Sequence, residues 1–284
     1  MKIKEIANSV DYAKNYKVIL CDLWGVIHNG KQLFENSISF LREMKSNEIK
    51  IFFLSNAPRP NYIVEEGLNN KLGLNKNLYD GIITSGDIAC NYINRKIHGE
   101  SYFHLGPKKD YDLLEQISIE KAKSPSSSDF ILCTGLLDDE AQSPGEYREQ
   151  FEEYIDNNMN LICANPDEIV YRDNKIIPCA GSMANFYTLL GGNVEFYGKP
   201  YSEIYEHIYE ILIQMKAISS KSEILAIGDS LKTDILGASQ FEIDSILIQN
   251  GIHKEEINAV EDIITLSNKY LEHQLQEVNT IRQL

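Results

Sequence analysis

The sequence predicts an α/β fold in which a parallel sheet, with helices on both faces, forms a core that carries a second α/β domain as an insertion. Three observations support this prediction. Short apolar runs alternate with segments whose apolar residues recur at helical spacing, which is typical of a parallel sheet. This alternation occurs in both the first and the last part of the chain. The block between them has strands and helices of its own, and 284 residues are enough for two medium-sized domains.

The first part of the chain contains short apolar runs that predict buried strands. They lie at 17–24 (KVILCDLW), 50–54 (KIFFL) and 81–84 (GIIT). Apolar residues at helical spacing predict helices over 33–44, 60–71 and 87–95. Each strand is therefore followed by a helix that can pack on one face of a parallel sheet.

The last part of the chain repeats this pattern. Strands are predicted at 194–197, 223–227 and 245–248, with helices over 201–215 and 234–240. We expect these strands to join the sheet of the first part. The tail after Leu266 is polar and amphipathic, and it predicts a helix on the surface.

The middle block differs from both flanks and predicts a separate domain. Its strands are predicted at 102–105, 129–134 and 160–163, and its helices near 109–115 and 146–157. The polar stretch 121–129 is typical of a surface loop. The predicted organisation is therefore a core formed by 1–87 and 193–284, with the inserted domain at 88–192.

Charge and cysteine content exclude several classes of function. The formal net charge of −15 opposes binding to nucleic acid and to anionic lipid, but a phosphate can still be held locally by a metal ion or a lysine. The five cysteines are widely spaced, which favours buried free thiols in a reducing compartment. The chain shows neither a signal peptide nor a run of about 18 apolar residues, so we expect a cytoplasmic protein.

Polar residues follow several of the strands that are predicted for the core sheet. They are Asp22, Ser55, Asn56, Lys199, Asp229 and, shortly after, Asp234. Ligands of open parallel sheets bind beyond the carboxyl ends of the strands, so these side chains are expected at one edge. Carboxylates at adjacent strand ends suit Mg²⁺, which offsets phosphate charge so that a nearby carboxylate can attack phosphorus. The predicted ligand is therefore Mg²⁺ together with a small phosphorylated substrate.

Each of these residues has a simpler structural interpretation when it is taken alone. An aspartate at the end of a strand commonly forms a turn, and a Ser-Asn pair commonly begins a helix. A single lysine is commonly solvated. A functional site is favoured because all of these residues are predicted at strand ends of the same sheet.

The same segments resemble the four ordered motifs of the haloacid dehalogenase (HAD) superfamily. The matching segments are DLWGV from Asp22, LSNAP from Leu54, YGKP from Tyr197 and the eleven-residue GDSLKTDILGA from Gly228. In the middle block, ICANPDEIV from Ile162 and CAGS from Cys179 resemble the large α/β cap of the N-acetylglucosamine-phosphatase-like branch. The resemblance covers roughly 17–251 and implies a Rossmann-like core with an inserted cap and the activity of a hydrolase, in particular a phosphatase.

The resemblance also implies a role for each residue of the set. By this resemblance, Asp22 is the nucleophile that forms an aspartyl-phosphate, and Mg²⁺ is bound by Asp22, Asp229 and the backbone carbonyl of Trp24. Ser55 and Lys199 hold the phosphoryl group, and Asn56 shapes the phosphate loop. Asp234 orients Lys199 or a metal-bound water. The cap is implied to close over the site and to contact the substrate.

The sequence departs from the family pattern at Trp24, where phosphatases carry a second aspartate as proton donor and base. An indole has one N–H donor and no basic site, so it performs neither task. Such a loss removes roughly 10²- to 10⁴-fold of catalysis. Substrates with good leaving groups, or a proton donor elsewhere, would compensate; His28 is the nearest candidate in sequence, although a loop histidine facing water is the simpler interpretation.

Two other functions stay open at this point. A phosphoryl-ligand-binding or regulatory protein with a degenerate active site would tolerate Trp24, but it has no need of a nucleophile. A dehalogenase needs no metal, which leaves the carboxylates after the fourth motif unexplained. In the cap, Lys108 and Lys109 could contact a second anionic group of the substrate, although a solvated helix start is the simpler interpretation.

Overall fold

The structure is a computed structural model that describes residues 2–172, 175–271 and 277–284. The chain forms two compact units. The first unit comprises Met1–Ser55, Glu65–Ile83 and Ile204–Leu284, and the second comprises Asn56–Val64 and Thr84–Glu203. The boundaries predicted at 87/88 and 192/193 for a core and a cap stay a prediction.

The described residues form strands at fourteen places. In chain order they are β1 (Lys2–Glu5), β2 (Val18–Cys21), β3 (Lys50–Ser55), β4 (Gly81–Thr84), β5 (Ser101–Leu105), β6 (Glu120–Lys121), β7 (Phe130–Cys133), β8 (Asn160–Cys163), β9 (Ile169–Arg172), β10 (Lys175–Pro178), β11 (Val194–Phe196), β12 (Ile224–Gly228), β13 (Asp244–Ile248) and β14 (Glu277–Ile281).

The α-helices lie mostly between these strands. In chain order they are α1 (Ser9–Ala13), α2 (Glu35–Ser46), α3 (Asn61–Glu66), α4 (Ser85–Asn94), α5 (Tyr111–Leu114), α6 (Arg148–Asp156), α7 (Ala180–Leu189), α8 (Ser202–Gln214), α9 (Leu236–Gln240) and α10 (Val260–Leu271). Two of the predicted helices are interrupted. The π-helical turn Gly67–Lys71 follows α3, and the π-helical turn Leu231–Ile235 precedes α9.

The main sheet has seven strands in the order β1-β14-β13-β12-β2-β3-β4. Its central strands β2 and β12 are buried along their whole length. This is expected of a parallel sheet that is covered by helices on both faces, and it explains why both read as continuous apolar runs. The predicted α/β fold with a parallel core sheet and flanking helices is confirmed.

The second unit has a parallel sheet of its own, in the order β11-β8-β7-β5-β6. Here one prediction is wrong, because β11 was expected in the core sheet. Instead β11 pairs in parallel with β8, with Val194 opposite Leu161. The strand has three residues, all half-buried or exposed, and so gives no sequence signal of its partner. Because Lys199 follows β11, it belongs to the second unit.

The structure of the tail also differs from its prediction. Of the surface helix predicted after Leu266, the described residues show the end of α10 up to Leu271, and residues 272–276 lie outside them. Residues Glu277–Ile281 form β14, which lies between β1 and β13. Val278 of β14 is buried against Leu231, Ile235 and Ile263. Polar residues of β14 hid the strand in the sequence. Thr280 is satisfied within the sheet, since its hydroxyl donates to the Leu247 carbonyl at 3.0 Å.

In the part of the chain that the structure describes, no helix combines the length and the apolar character that crossing a membrane requires. The five cysteines carry free thiols, and all but Cys179 are buried.

Candidate active site

Three carboxylates meet at the carboxyl edge of the main sheet. Asp22 follows β2, Asp229 follows β12, and these strands are adjacent and parallel, with Ile227 opposite Cys21. The backbone N–H of Asp22 continues the pairing by donating to the Ile227 carbonyl at 2.8 Å. Asp234 is added by the π-helical turn that follows β12. One oxygen from each of the three carboxylates lies within 4.8 Å of the others.

The Asp229 carboxylate is enclosed by backbone on two sides. A Cβ atom at Gly25 would lie 2.0 Å from Asp229 Oδ2, and one at Gly251 would lie 2.1 Å from it. Gly25 also has a φ of +84°, a conformation that side chains other than glycine rarely adopt. The backbone N–H of Ile252 donates to the same oxygen at 2.6 Å. The position of Asp229 is therefore fixed by the loops after β2 and β13.

The donor set fits Mg²⁺. Asp229 and Asp234 are buried, with 6% and 5% of their surfaces exposed, and Asp22 is half-buried. Three carboxylates so close together repel one another unless a cation offsets their charge. Carboxylate oxygens are the ligands that Mg²⁺ prefers in proteins. The residues that would hold the ion are thus Asp22 and Asp229, with Asp234 beside them.

The turn that carries Asp234 is held by a histidine that the sequence analysis missed. His253 is buried, and its Nε2 accepts from the Leu231 backbone N–H at 3.3 Å, while its Nδ1 lies 2.8 Å from Glu256 Oε2. Nδ1 must therefore carry the proton and donate to Glu256. The signal was present, because Gly251-Ile252-His253 follows the predicted strand at 245–248, at the same sheet edge.

Ser55 is the last residue of β3, which pairs in parallel with β2. Ser55 therefore ends its strand at the same edge of the main sheet as Asp22. The sequence predicted this placement correctly, because it depends only on parallel strand pairing within the first part of the chain.

Trp24 lies in the loop after β2 and is packed by its own loop. Its indole ring meets His28 edge-on, with ring centroids 5.2 Å apart and planes at 74°. A Cβ atom at Gly30 would lie 2.4 Å from the six-membered ring of the indole, and Gly30 has a φ of +87°. The loop therefore closes onto the indole only because position 30 has no side chain.

His28 does not face water, so that interpretation of the sequence was wrong. Only 7% of its surface is exposed, and burial lowers its pKa to about 4. Its Nδ1 accepts from the Gly30 N–H at 2.9 Å, which places the proton of the neutral ring on Nε2. At neutral pH His28 is therefore a neutral imidazole rather than a proton-donating imidazolium.

In the second unit, Asn56 and Lys199 form a reciprocal pair. Asn56 Oδ1 accepts from the Lys199 N–H at 2.8 Å, and Asn56 Nδ2 donates to the Lys199 carbonyl at 3.0 Å and to Asp167 Oδ1 at 2.8 Å. Asn56 and Lys199 each have only 3% of their surface exposed. The structure therefore assigns Asn56 a clear task, which is to hold the backbone that carries Lys199. The roles predicted for the whole residue set in phosphate binding and catalysis stay predictions.

Two family models match the chain. One, described as haloacid dehalogenase-like hydrolase, matches residues 19–120, and the other, described as HAD-hydrolase-like, matches residues 196–269. The first contains the segments with Asp22 and Ser55, and the second those with Lys199, Asp229 and Asp234.

Among curated proteins, the chain is similar to a 5'-nucleotidase of Bacillus subtilis (strain 168), with 22% identity over 86% of this chain and 91% of the relative. It is also similar to an acid sugar phosphatase of Staphylococcus epidermidis, with 23% identity over 93% of this chain and 99% of the relative.

Among solved structures, a hydrolase of the haloacid dehalogenase-like family from Brucella suis 1330 is 31% identical, covers 98% of both chains and has a TM-score of 0.85. A 4-nitrophenylphosphatase from Thermotoga maritima has a TM-score of 0.71 at 18% identity, with 97% of both chains covered, which shows a shared fold.

Proposed function

The chain belongs to the haloacid dehalogenase-like hydrolases, and we propose that it is a Mg²⁺-dependent phosphatase that acts on a small phosphorylated metabolite through Asp22. The names of its relatives support this substrate class, since they include a 5'-nucleotidase and acid sugar phosphatases. A cytoplasmic location, and the lack of a nucleic-acid or membrane partner, are part of the same proposal.

The observation that carries the proposal is the cluster of Asp22, Asp229 and Asp234, whose oxygens lie within 4.8 Å of one another. Two of the three carboxylates are buried, which is costly for charged groups unless a cation accompanies them. When bound, Mg²⁺ would supply the positive charge that offsets the charge of a phosphate. A simple structural role would not require three carboxylates that are brought together from the segments after β2 and β12.

Asp22 is proposed as the nucleophile. Its carboxylate oxygen forms a bond to phosphorus as the bond between phosphorus and the leaving oxygen breaks, and water then hydrolyses the aspartyl-phosphate. The Ser55 hydroxyl is proposed to donate to a phosphoryl oxygen, and the Lys199 ammonium to add positive charge. Asn56 keeps Lys199 in place through the two backbone hydrogen bonds described above.

Trp24 sets the choice of substrate in this proposal. No carboxylate stands at position 24, and His28 is neutral at pH 7, so neither residue delivers a proton to the leaving oxygen. Aryl and acyl phosphates leave without such help, whereas alkyl phosphates need it. Trp24 is also the observation that favours the second candidate, a protein that binds a phosphorylated ligand without turning it over.

Calorimetry with Mg²⁺ tests the metal site. We expect the wild type to bind Mg²⁺ and Asp229→Ala to lose most of that binding, because its carboxylate is held among the other two. Asp11→Ala, which removes an exposed carboxylate of α1, serves as the matched control and should bind like the wild type. Equal binding by all three proteins would contradict the assignment. A panel of phosphoesters, assayed with and without Mg²⁺, then tests whether turnover accompanies binding.

A further inference from the structure

An arginine of the second unit is held unusually firmly for a residue in a loop. Arg59 Nε donates to Asp110 Oδ1 at 3.0 Å, and the Asp110 side chain is only 2% exposed. On the chain, Arg59 stands between Pro58 and Pro60, and each proline ring fixes its own φ. Both the backbone and the start of the guanidinium are therefore restrained before any ligand arrives.

The beginning of α4 restrains the same segment. The Thr84 hydroxyl donates to the Arg59 carbonyl at 2.7 Å, and the Gly86 backbone N–H donates to the Ala57 carbonyl at 3.2 Å. A Cβ atom at Gly86 would lie 2.6 Å from the Arg59 backbone nitrogen, so the helix start is packed directly against it. Arg59 therefore loses little conformational entropy when it binds a partner.

Asp110, which anchors Arg59, lies at a place where parallel sheets bind ligands. It follows β5, whose neighbours β6 and β7 lie on opposite sides, so the strand order reverses at this point. Ligands bind beyond the carboxyl ends of strands at such reversals. Burial raises the pKa of Asp110, and the nearby Arg59, Lys109 and Thr134 act against that rise. The carboxylate thus needs Arg59 close by.

The anchor uses only one of the nitrogen atoms of the guanidinium. Within the described residues, Arg59 Nη1 and Nη2 donate to no protein oxygen, and the side chain is 35% exposed. Two other cations of this unit, Arg172 and Lys109, are paired with a carboxylate. Arg172 makes two hydrogen bonds of 3.2 Å to Asp139, one from each Nη, and Lys109 also pairs with Asp139 at 2.5 Å. Lys109, which the sequence suggested as a contact for a second anion, therefore already has a carboxylate partner.

We propose that the two Nη groups of Arg59 bind a second anionic group of the substrate, either a carboxylate or a second phosphate. The inference rests on the proposed phosphatase function, in which Lys199 of the same unit, held by Asn56, adds positive charge at the first phosphate. Arg59 follows Asn56 by three residues, which limits their Cα separation to about 11 Å. The substrate class is therefore a small phosphomonoester whose second anionic group lies within one small molecule of the first.

A purely structural role is the alternative, in which Arg59 only neutralises Asp110. That role needs a positive charge near Asp110, and a lysine can supply it. Binding of a planar carboxylate or a phosphate through two parallel N–H groups needs the guanidinium fork, which lysine lacks. Arg59→Lys therefore separates the two roles and keeps a cation beside the buried carboxylate.

The test measures binding by calorimetry in an Asp22→Asn background, where turnover is removed. The probes are phenyl phosphate, 4-carboxyphenyl phosphate and hydroquinone bisphosphate, all with Mg²⁺. We expect both probes with a second anion to bind roughly 10- to 100-fold more tightly than phenyl phosphate, as charge-assisted hydrogen bonds allow. Arg59→Lys should abolish most of this preference. Arg148→Lys is the matched control, since Arg148 forms an exposed pair with Glu152, and it should keep the preference.

The comparison of the two anionic probes shows whether a carboxylate or a phosphate is preferred. Equal binding of all three probes, or an unchanged preference in Arg59→Lys, would overturn the inference. If Arg59→Lys fails to fold, the pair Arg59→Gln with Asp110→Asn removes both charges and should lose the preference in the same way. Turnover of 4-nitrophenyl phosphate by the otherwise unmodified chain is measured separately. Absence of this turnover would count against the proposed phosphatase. The ratios of the dissociation constants of the three probes test the role of Arg59 independently of turnover.

Discussion

A protein with a nucleophile but no proton donor should discriminate between phosphate esters by their leaving groups. An alkoxide leaves only if it is protonated, whereas a phenolate or a carboxylate leaves readily without a proton. We therefore expect aryl and acyl phosphates to be turned over much faster than alkyl phosphates. The perturbation that tests this is Trp24→Asp, which restores a carboxylate two residues after Asp22.

The size of the effect follows from the two residues that could have acted as the acid. Trp24 has no titratable group. His28 has a pKa of about 4, so only about one molecule in a thousand carries the imidazolium at pH 7. The full contribution of a positioned acid, roughly 10²- to 10⁴-fold, should therefore be missing from alkyl-ester turnover.

The assay compares kcat/KM for matched alkyl and aryl phosphates in the wild type, Trp24→Asp and Trp24→Phe. Trp24→Phe keeps an aromatic ring against Gly30 and His28 without adding a carboxylate, so it controls for the loss of packing. Only Trp24→Asp should raise alkyl turnover. The wild type should also show a burst of product and then a slow phase, since position 24 activates no water for the second step.

Two results would refute this reasoning. Equal kcat/KM for alkyl and aryl esters in the wild type would show that another group donates the proton, and His28→Gln would then be the first variant to examine. No turnover of any ester, even by a folded Trp24→Asp protein, would favour the candidate function of ligand binding without catalysis.

Three further predictions concern the same site and the stability of the fold. Asp22→Asn should lose turnover by at least about 10³-fold yet still bind phosphate esters in calorimetry, since it loses only the attacking charge; near-normal turnover would place the chemistry elsewhere. Gly25→Ala should weaken Mg²⁺ binding and lower the thermal midpoint, because the added methyl group would lie 2.0 Å from Asp229 Oδ2 and the residue has a positive φ; an unchanged Mg²⁺ affinity would show that the enclosure is unimportant. His28 and His104 both have a pKa lowered by burial to about 4, so the folded state binds fewer protons than the unfolded state between about pH 4 and 6.5. The contribution of these histidines to the free energy of unfolding is complete above pH 6.5. It should be lost as the pH falls towards 4, by about 3 kcal/mol per histidine. A thermal midpoint that does not fall across this window would contradict the burial of these rings.

The main sheet could be predicted from the sequence because its central strands are buried on both faces. Such strands read as continuous apolar runs, and β2, β3 and β12 were found in this way. The strands on one side of the sheet, β1 and β14, were harder to predict. β1 and β14 contain charged and polar residues, and they are identified as strands only by the pairing that joins Lys2 to Glu277 and Ile3 to Val278. A local pattern does not contain such a pairing between the two ends of the chain.

In the candidate site, too, some residues could be predicted from the sequence and others could not. Asp22, Ser55 and Asp229 follow strands of one sheet, so parallel pairing alone brings them to one edge. Arg59 was missed because its significance lies in Asp110, fifty-one positions further along the chain, and no spacing rule connects them. The enclosure of Asp229 by Gly251 was missed for the same reason.

Trp24 is best understood as part of a loop rather than as a single replaced residue. Its indole occupies the space that a side chain at position 30 would need, and Gly30 in turn donates to the Nδ1 atom of His28. These contacts couple the three positions, so a change at one alters the packing of the others. The neutral state of His28 is one consequence, because its burial beside the indole lowers its pKa. The same loop therefore excludes the carboxylate and keeps the nearest histidine from acting as a substitute. Since Trp24 is the single tryptophan of the chain, its fluorescence reports this loop directly. Mg²⁺ or a phosphate ester bound at Asp22 should change that fluorescence, and Gly30→Ala, which forces the ring away, should alter the signal before any ligand is added.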